Sequence, residues 1–298
     1  MSIKKIHQLV NKTLHYAIIN NNRKQINKVT IQIENTTGSR DDLSLKESVL
    51  ISLDSEDLRL YPFLPYILQD LWSLGSDPEA MIYLIDKYRK PLDKLRILDL
   101  GCGKGPVSVH AAKALNAECH GVDGRTEFIA IAQKKAEEFG VSHLCRFETG
   151  DIRTYPLPGH HYSVVILGAI GQIFGNYSET LLTVSKHLES EGLIIIDDAY
   201  IEFINTKANY PVLEKTALLE QIHLAGFSLL EEVIADKGAE KSQNSLMFDH
   251  ISRRCHELEL QHPALKCLFR DYVKTQEEAF QSIERDLTCI TMALKKTG

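Results

Sequence analysis

The sequence has six cysteines, yet no two of them form a C-x-x-C pair and none belongs to a zinc-like cluster. Most of Cys102, Cys119, Cys145, Cys255, Cys267 and Cys289 therefore read as small buried apolar residues in a reducing compartment. The crowded His250, Cys255, His256 and His262 have helical spacing and match no recognised ligand motif, so no metal is expected. Also missing is any apolar run long enough to span a bilayer, and the N-terminus lacks the apolar core of a secretory signal. The expectation is a cytoplasmic protein with no membrane role. Positive charge is not in excess either: the formal net charge is −6. A mildly acidic chain is a poor partner for a long nucleic-acid backbone. Internal repeats and low-complexity tracts are absent, which excludes a solenoid.

What is present is an ordinary globular composition, 44% hydrophobic and 25% charged over 298 residues, enough for a full core. Residues 1–60 are polar and read as an N-terminal extension to a domain over 61–298. In the extension, Ile3, Ile6, Val10, Leu14 and Ala17 suit a short amphipathic helix. Stretches 28–34 and 47–54 alternate like the strands of a hairpin. Lys4, Lys5, Lys12, Arg23, Lys24 and Lys28 precede the first acid, Glu34. Such a charge run is usually a solvated face, and it lacks the interleaved aromatics of a single-strand platform. Further on, Tyr61, Phe63, Tyr66 and Trp72 lead to Asp77, an N-cap with Pro78 at the first helical position.

Between 96 and 236, short β runs alternate with helical segments. The runs are 96–100, 118–122, 145–149, 163–167, 193–197 and 227–233; the helices are 106–115, 126–139, 178–188 and 213–224. Several runs are nearly continuous apolar stretches, as in strands covered on both faces. The alternation predicts an α/β fold with a doubly wound, mostly parallel sheet. A polar helical stretch at about 245–285 and a last apolar run, 288–294, follow.

The informative segment joins the first strand to the first helix: Asp99-Leu100-Gly101-Cys102-Gly103-Lys104-Gly105-Pro106. Glycines allow a tight turn and close approach of a ligand to the backbone. The helix behind them offers free N–H groups and the positive end of its dipole. A P-loop would need G-x-x-x-x-G-K-[ST], which is absent. A dinucleotide loop would need G-x-G-x-x-G, but the third glycine comes one residue early and Pro106 stands in its place.

The segment resembles motif I of the class I, Rossmann-like S-adenosylmethionine-dependent methyltransferases, [DE]-x-G-x-G-x-G, matched by Asp99, Gly101, Gly103 and Gly105. Three further features stand in order at successive strand ends: Asp123 with Gly124, then Gly150-Asp151-Ile152, then Leu167-Gly168-Ala169. Each alone has a bland reading as a helix start, a turn or a bend. The resemblance covers about 60–236 and extends to the last apolar run, which would be the family's antiparallel seventh strand. The helices of 245–285 would then be an insertion before it, over the substrate side.

By that resemblance Asp99, Gly101, Cys102, Gly103 and Gly105 hold the methionine part of S-adenosylmethionine. Asp123 holds the ribose, with Gly124 a further cofactor-binding residue; Asp151 and Ile152 hold the adenine edge, and Gly168 lies beside the cofactor. Methyl transfer is an in-line displacement that needs alignment and exclusion of water more than a side-chain nucleophile. The family has no universal catalytic motif. Candidates for the acceptor side are Gln172 after the fourth strand and Asp198 and Tyr200 after the fifth. Asp198 would be a base or a partner for a cationic acceptor; its bland reading is a helix cap. The [DN]-P-P-[YFW] signature of amino-group methylation on adenine, cytosine or glutamine is replaced by Gly-Ala-Ile-Gly at 168–171. A small-molecule methyl acceptor is thus expected. The alternatives are a regulatory module that binds the cofactor without turnover, and an RNA or protein methyltransferase using the basic arm.

Overall fold

The computed structural model describes residues 43–90, 94–202 and 212–297. The expected helix over 3–17, the strand at 28–34 and the basic arm lie outside the described residues. The first described element is α1 (Leu45–Ile51), followed by a 3-10 turn (Leu58–Phe63), α2 (Leu64–Ile67) and α3 (Pro78–Tyr88). Next come β1 (Arg96–Leu100), α4 (Pro106–Leu115), β2 (Glu118–Asp123), α5 (Thr126–Glu138) and β3 (Cys145–Thr149). The chain continues through β4 (Tyr162–Gly168), α6 (Tyr177–Val184), β5 (Leu188–Tyr200), α7 (Lys215–Leu224) and β6 (Phe227–Ile234). It closes with α8 (Lys237–Gln261), α9 (Lys266–Asp286) and β7 (Thr288–Lys296).

The seven strands form one sheet in the order β3-β2-β1-β4-β5-β7-β6. β1 to β5 pair in parallel, while β7 runs antiparallel between β5 and β6. The apolar strands bury side chains on both faces. Ile97, Val164, Ile166 and Ile195 meet α3, α4 and α5 on one side. Leu98, Val165, Ile194 and Ile196 meet α6 and α7 on the other. The chain order reverses between β1 and β4, and a crevice opens there at the C-terminal strand ends, as open α/β sheets require.

The doubly wound expectation holds, with its antiparallel last strand. One local expectation fails: 47–54 does not extend as a strand, because α1 covers most of it. Leu45 and Val49 are four residues apart and share a helix face, and Leu50 is fully buried against Leu60, Leu64 and Ile67. That packing outweighs the alternating pattern. The helical stretch before β7 is also longer than expected. It begins at Lys237, with Asp236 accepting the Ala239 N–H at 2.8 Å as N-cap, and it breaks at Pro263.

α8 and α9 pack on α1, the 3-10 turn and α2 through Ile251, Cys255, Leu258 and Phe269. Arg254 grips Asp70 with two hydrogen bonds, 2.6 and 2.8 Å, and holds that carboxyl well below the usual range. His250 and His262 serve the same packing: His250 accepts from Arg253 at 2.8 Å, and the His262 ring sits edge-on to Phe63. Among the described residues, no helix is long and apolar enough to cross a membrane.

Asp77 caps α3 as the sequence indicates, accepting the N–H groups of Glu79 and Ala80 at 2.9 and 3.1 Å. Its own N–H donates to Asp197 of β5 at 2.7 Å. Burial pushes Asp197 up to about 7, against the pull of that hydrogen bond. A raised carboxylate favours the folded state only while protonated. Its contribution is therefore full below the unfolded value of 3.8 and is lost as pH rises towards 7. Asp197→Asn keeps an acceptor for Asp77 without the charge. It is expected to stabilise the fold by about 1–2 kcal/mol at pH 8, after discounting for partial exposure, with the gain shrinking steadily towards pH 4.5. Thermal melts across that range measure it. A gain independent of pH would show that the buried charge is not its source.

Candidate functional site

Three glycines shape the loop after β1, and they are not equivalent. Gly103 and Gly105 both have positive φ, 53° and 74°. At Gly105 a Cβ would meet Ala132 Cβ and Phe147 Cζ at 2.9 Å, so this glycine lets α4 seat against α5 and β3. At Gly103 the first neighbour of a Cβ would be Leu74 Cδ1, 3.9 Å away. The space over Gly103 is therefore a cradle where a ligand can approach the backbone. Val122 O ties down the N–H groups of Gly101 and Cys102 at 2.8 and 3.1 Å.

Asp123 ends β2 beside that cradle. Its carboxylate accepts the Gly103 N–H at 2.9 Å and the Arg125 N–H at 2.8 Å. Two oxygens offer about four acceptor positions, so the remainder suits two hydroxyls of a ribose. Burial raises the pKa of this acid, against the pull of its backbone donors. Gly101, Cys102, Gly124, Asp151, Ile152 and Gly168 line the same crevice. Asp151 is clamped by Arg153, whose guanidinium lies at 2.6 Å and holds the carboxyl down.

Asp99 and Gly105 do not line the crevice. Asp99 is 2% exposed beneath the loop and accepts the Ser108 hydroxyl at 2.6 Å. Burial lifts it to about 6. It braces α4 against β1.

The three acceptor-side candidates stand apart from the crevice. Along β5 the side chains alternate, and Asp198 and Tyr200 fall on the face covered by α6 and α7. Asp198 accepts the Tyr177 hydroxyl at 2.6 Å and the Ala199 N–H at 2.8 Å. Tyr200 is 1% exposed and accepts from Lys215 at 3.2 Å. Gln172 lies in the turn after β4, where its carbonyl accepts the Gly175 N–H at 3.1 Å; its neighbour Ile173 reaches the crevice instead.

Sequence reasoning missed the opposite wall. Leu45, Ser48 and Val49 of α1 cover the crevice, and a Cβ on Gly124 would lie 2.8 Å from Val49 and 2.9 Å from Leu45. Trp72, Leu74 and Ser76 complete that wall. Of these only Trp72 carried a signal, in the aromatic run after residue 60. α8 and α9, expected over the substrate side, contribute no lining residue and instead support α1 and α2 from behind.

Two buried cations tie the segment 61–72 to the loops after β1 and β2. The Lys104 ammonium donates to the carbonyls of Leu68 and Leu71, and burial lowers it to about 8. In return the Trp72 indole N–H donates to Lys104 O at 2.9 Å. Arg125, 2% exposed, lies over the Tyr61 ring at 4.0 Å and donates to Tyr61 O at 3.2 Å. Lone basic residues in a polar or glycine-rich stretch look like surface charges until the carbonyls they satisfy are known.

A family model described as a methyltransferase domain matches residues 91–226. The uncharacterized methyltransferase YcgJ of Bacillus subtilis is 28% identical over 120 residues, which is 37% of this chain and 46% of that relative. The chain thus spans less than half the length of that curated relative. In fold, it is similar to a SAM-dependent methyltransferase of Geobacter sulfurreducens crystallised with S-adenosyl-L-homocysteine. The TM-score is 0.66 at 20% identity, covering 79% of this chain and 98% of that one. The [4+2]-cyclase SpnF shares the fold at a TM-score of 0.64 and 15% identity, with coverage of 85% and 96%. Residues 91–226 match a methyltransferase domain, and the sheet and helices built around them have the fold of the class I, Rossmann-like methyltransferases.

Proposed function

We propose that the protein is an S-adenosylmethionine-dependent methyltransferase acting on a small-molecule acceptor. The observation that carries this reading is the pairing of an open cradle at Gly103 with the half-satisfied carboxylate of Asp123. In this reading the loop backbone from Gly101 to Gly103 holds the methionine part and Asp123 the ribose. Gly124, Asp151 and Ile152 border the adenine, and Gly168 flanks the cofactor. The wall of α1 and Trp72 keeps water from the sulfonium, which an in-line displacement requires. The net charge of −6 supports a small acceptor over a nucleic acid. A cytoplasmic location belongs to the same reading.

Incubation with methyl-labelled S-adenosylmethionine and a metabolite extract tests it. Label should enter a small-molecule fraction, and heat-killed protein should transfer none. A cofactor-binding protein without methyl transfer is the second reading, favoured by the [4+2]-cyclase on the same fold and by the absence of Asp198, Tyr200 and Gln172 from the crevice lining. Tight binding of S-adenosylhomocysteine with no labelled product would select it.

Trp72 is the chain's single tryptophan and edges the crevice. Its emission is therefore expected to shift as S-adenosylhomocysteine is added, with the same midpoint as calorimetry. In Lys104→Met the shift should shrink while the fold persists, because the wall no longer follows the loop. An unchanged response in that variant would remove the Lys104 contacts from any such coupling.

A further inference from the structure

β2 and β3 run parallel, and their register sets Cys119 directly beside Cys145. Both side chains fall on the face packed by α4 and α5. Cys119 is 3% exposed within that core, and Cys145 sits half-buried at its margin. Neighbouring strands lie about 4.7–4.9 Å apart, inside the range of about 4.4–6.8 Å between α-carbons that a disulfide accepts. The Cys119 S–H donates to Ala117 O at 3.7 Å. The two environments differ: the neighbouring Cys145 and burial raise the Cys119 thiol, whereas the neighbouring Cys119 lowers Cys145. Among the described strands β3 is an edge of the sheet, and Cys145 is the more exposed of the two, so a small oxidant meets Cys145 first. A more accessible thiol beside a sheltered one is the arrangement of an attacking and a resolving cysteine.

We propose that Cys119 and Cys145 form an oxidation site that a hydroperoxide converts to a disulfide between β2 and β3. The Cys145 thiolate attacks one peroxide oxygen, and the O–O bond breaks. The sulfur becomes a sulfenic acid, and the other oxygen leaves with a proton as an alcohol, or as water from hydrogen peroxide. Cys119 sulfur then attacks Cys145 sulfur; the S–S bond forms, the S–O bond breaks, and the hydroxyl leaves as water with the Cys119 proton. Two thiols lose two electrons and two protons, and one hydroperoxide is reduced. The site is independent of the methyl-transfer reading. It lies in the same strand as Asp123, four residues earlier, away from the crevice lining.

The test is hydrogen peroxide on the full chain, then denaturation, alkylation and peptide mass mapping. The exposed Cys267 serves as an internal reference. The expected result is loss of alkylation at Cys119 and Cys145 together, a linked peptide pair containing both, and full recovery with a dithiol reductant. In Cys119→Ser, Cys145 should stop at a sulfenic acid that a dimedone probe traps. If Cys267 is oxidised while Cys119 and Cys145 both remain alkylatable in the wild type, the proposal is overturned. The same holds if either cysteine pairs elsewhere. The wild-type measurement stands alone should a variant fail to fold.

Discussion

Asp123→Ala is expected to weaken S-adenosylhomocysteine binding at least a hundredfold. Two hydroxyl hydrogen bonds to a carboxylate are lost, each about 1.5–3 kcal/mol and not fully additive. The substitution also releases the Gly103 N–H, held at 2.9 Å, so part of the loss comes from a loosened loop. Asp123→Asn separates the two contributions. Its carbonyl can still accept from Gly103, but the charge and one acceptor oxygen are gone, so binding should fall by about tenfold. Calorimetry on preparations with matched melting curves measures both. Burial already raises the pKa of this acid, so loss of its charge does not threaten the fold. Wild-type affinity in Asp123→Ala would dismiss the ribose assignment.

The same substitution at two glycines of one loop should produce opposite results. Gly103→Leu places its side chain in the open cradle. The cost to folding is the left-handed backbone, about 1–2 kcal/mol, and the protein should fold. Ligand binding should be lost, because the side chain occupies the space the ligand needs. Gly105→Leu meets Ala132 and the Phe147 ring at 2.9 Å in addition to the same backbone penalty. Neither neighbour is the end of a flexible side chain, so the cost should exceed about 3 kcal/mol and the soluble yield should collapse. Melting temperature and calorimetry on both variants decide this. A stable, binding-competent Gly103→Leu would show that the cradle is not where the cofactor lies.

The strands, the glycine loop and the Asp77 cap were legible because each depends on near neighbours in the chain. Continuous apolar runs need cover on both faces, tight turns need glycine, and a carboxylate two or three residues before free N–H groups caps them. The order of Asp99, Asp123, Asp151 and Gly168 at successive strand ends likewise follows from the βα repeat. The alternation in β5 even dictated that Asp198 and Tyr200 share a face.

Which face that was, only the tertiary structure decided. α6 and α7 cover it, so two residues that looked poised for an acceptor are committed to Tyr177 and Lys215. The same applies to Asp99, which sits at the motif position but is buried beneath the loop, hydrogen-bonded to Ser108 and outside the crevice lining. The wall formed by α1 and Trp72 and the buried amine of Lys104 depend on contacts between residues distant in sequence. So does the adjacency of Cys119 and Cys145. Local patterning sets backbone direction and side-chain alternation. Which surfaces then meet is set by packing of the whole chain, and no single window of sequence contains that information.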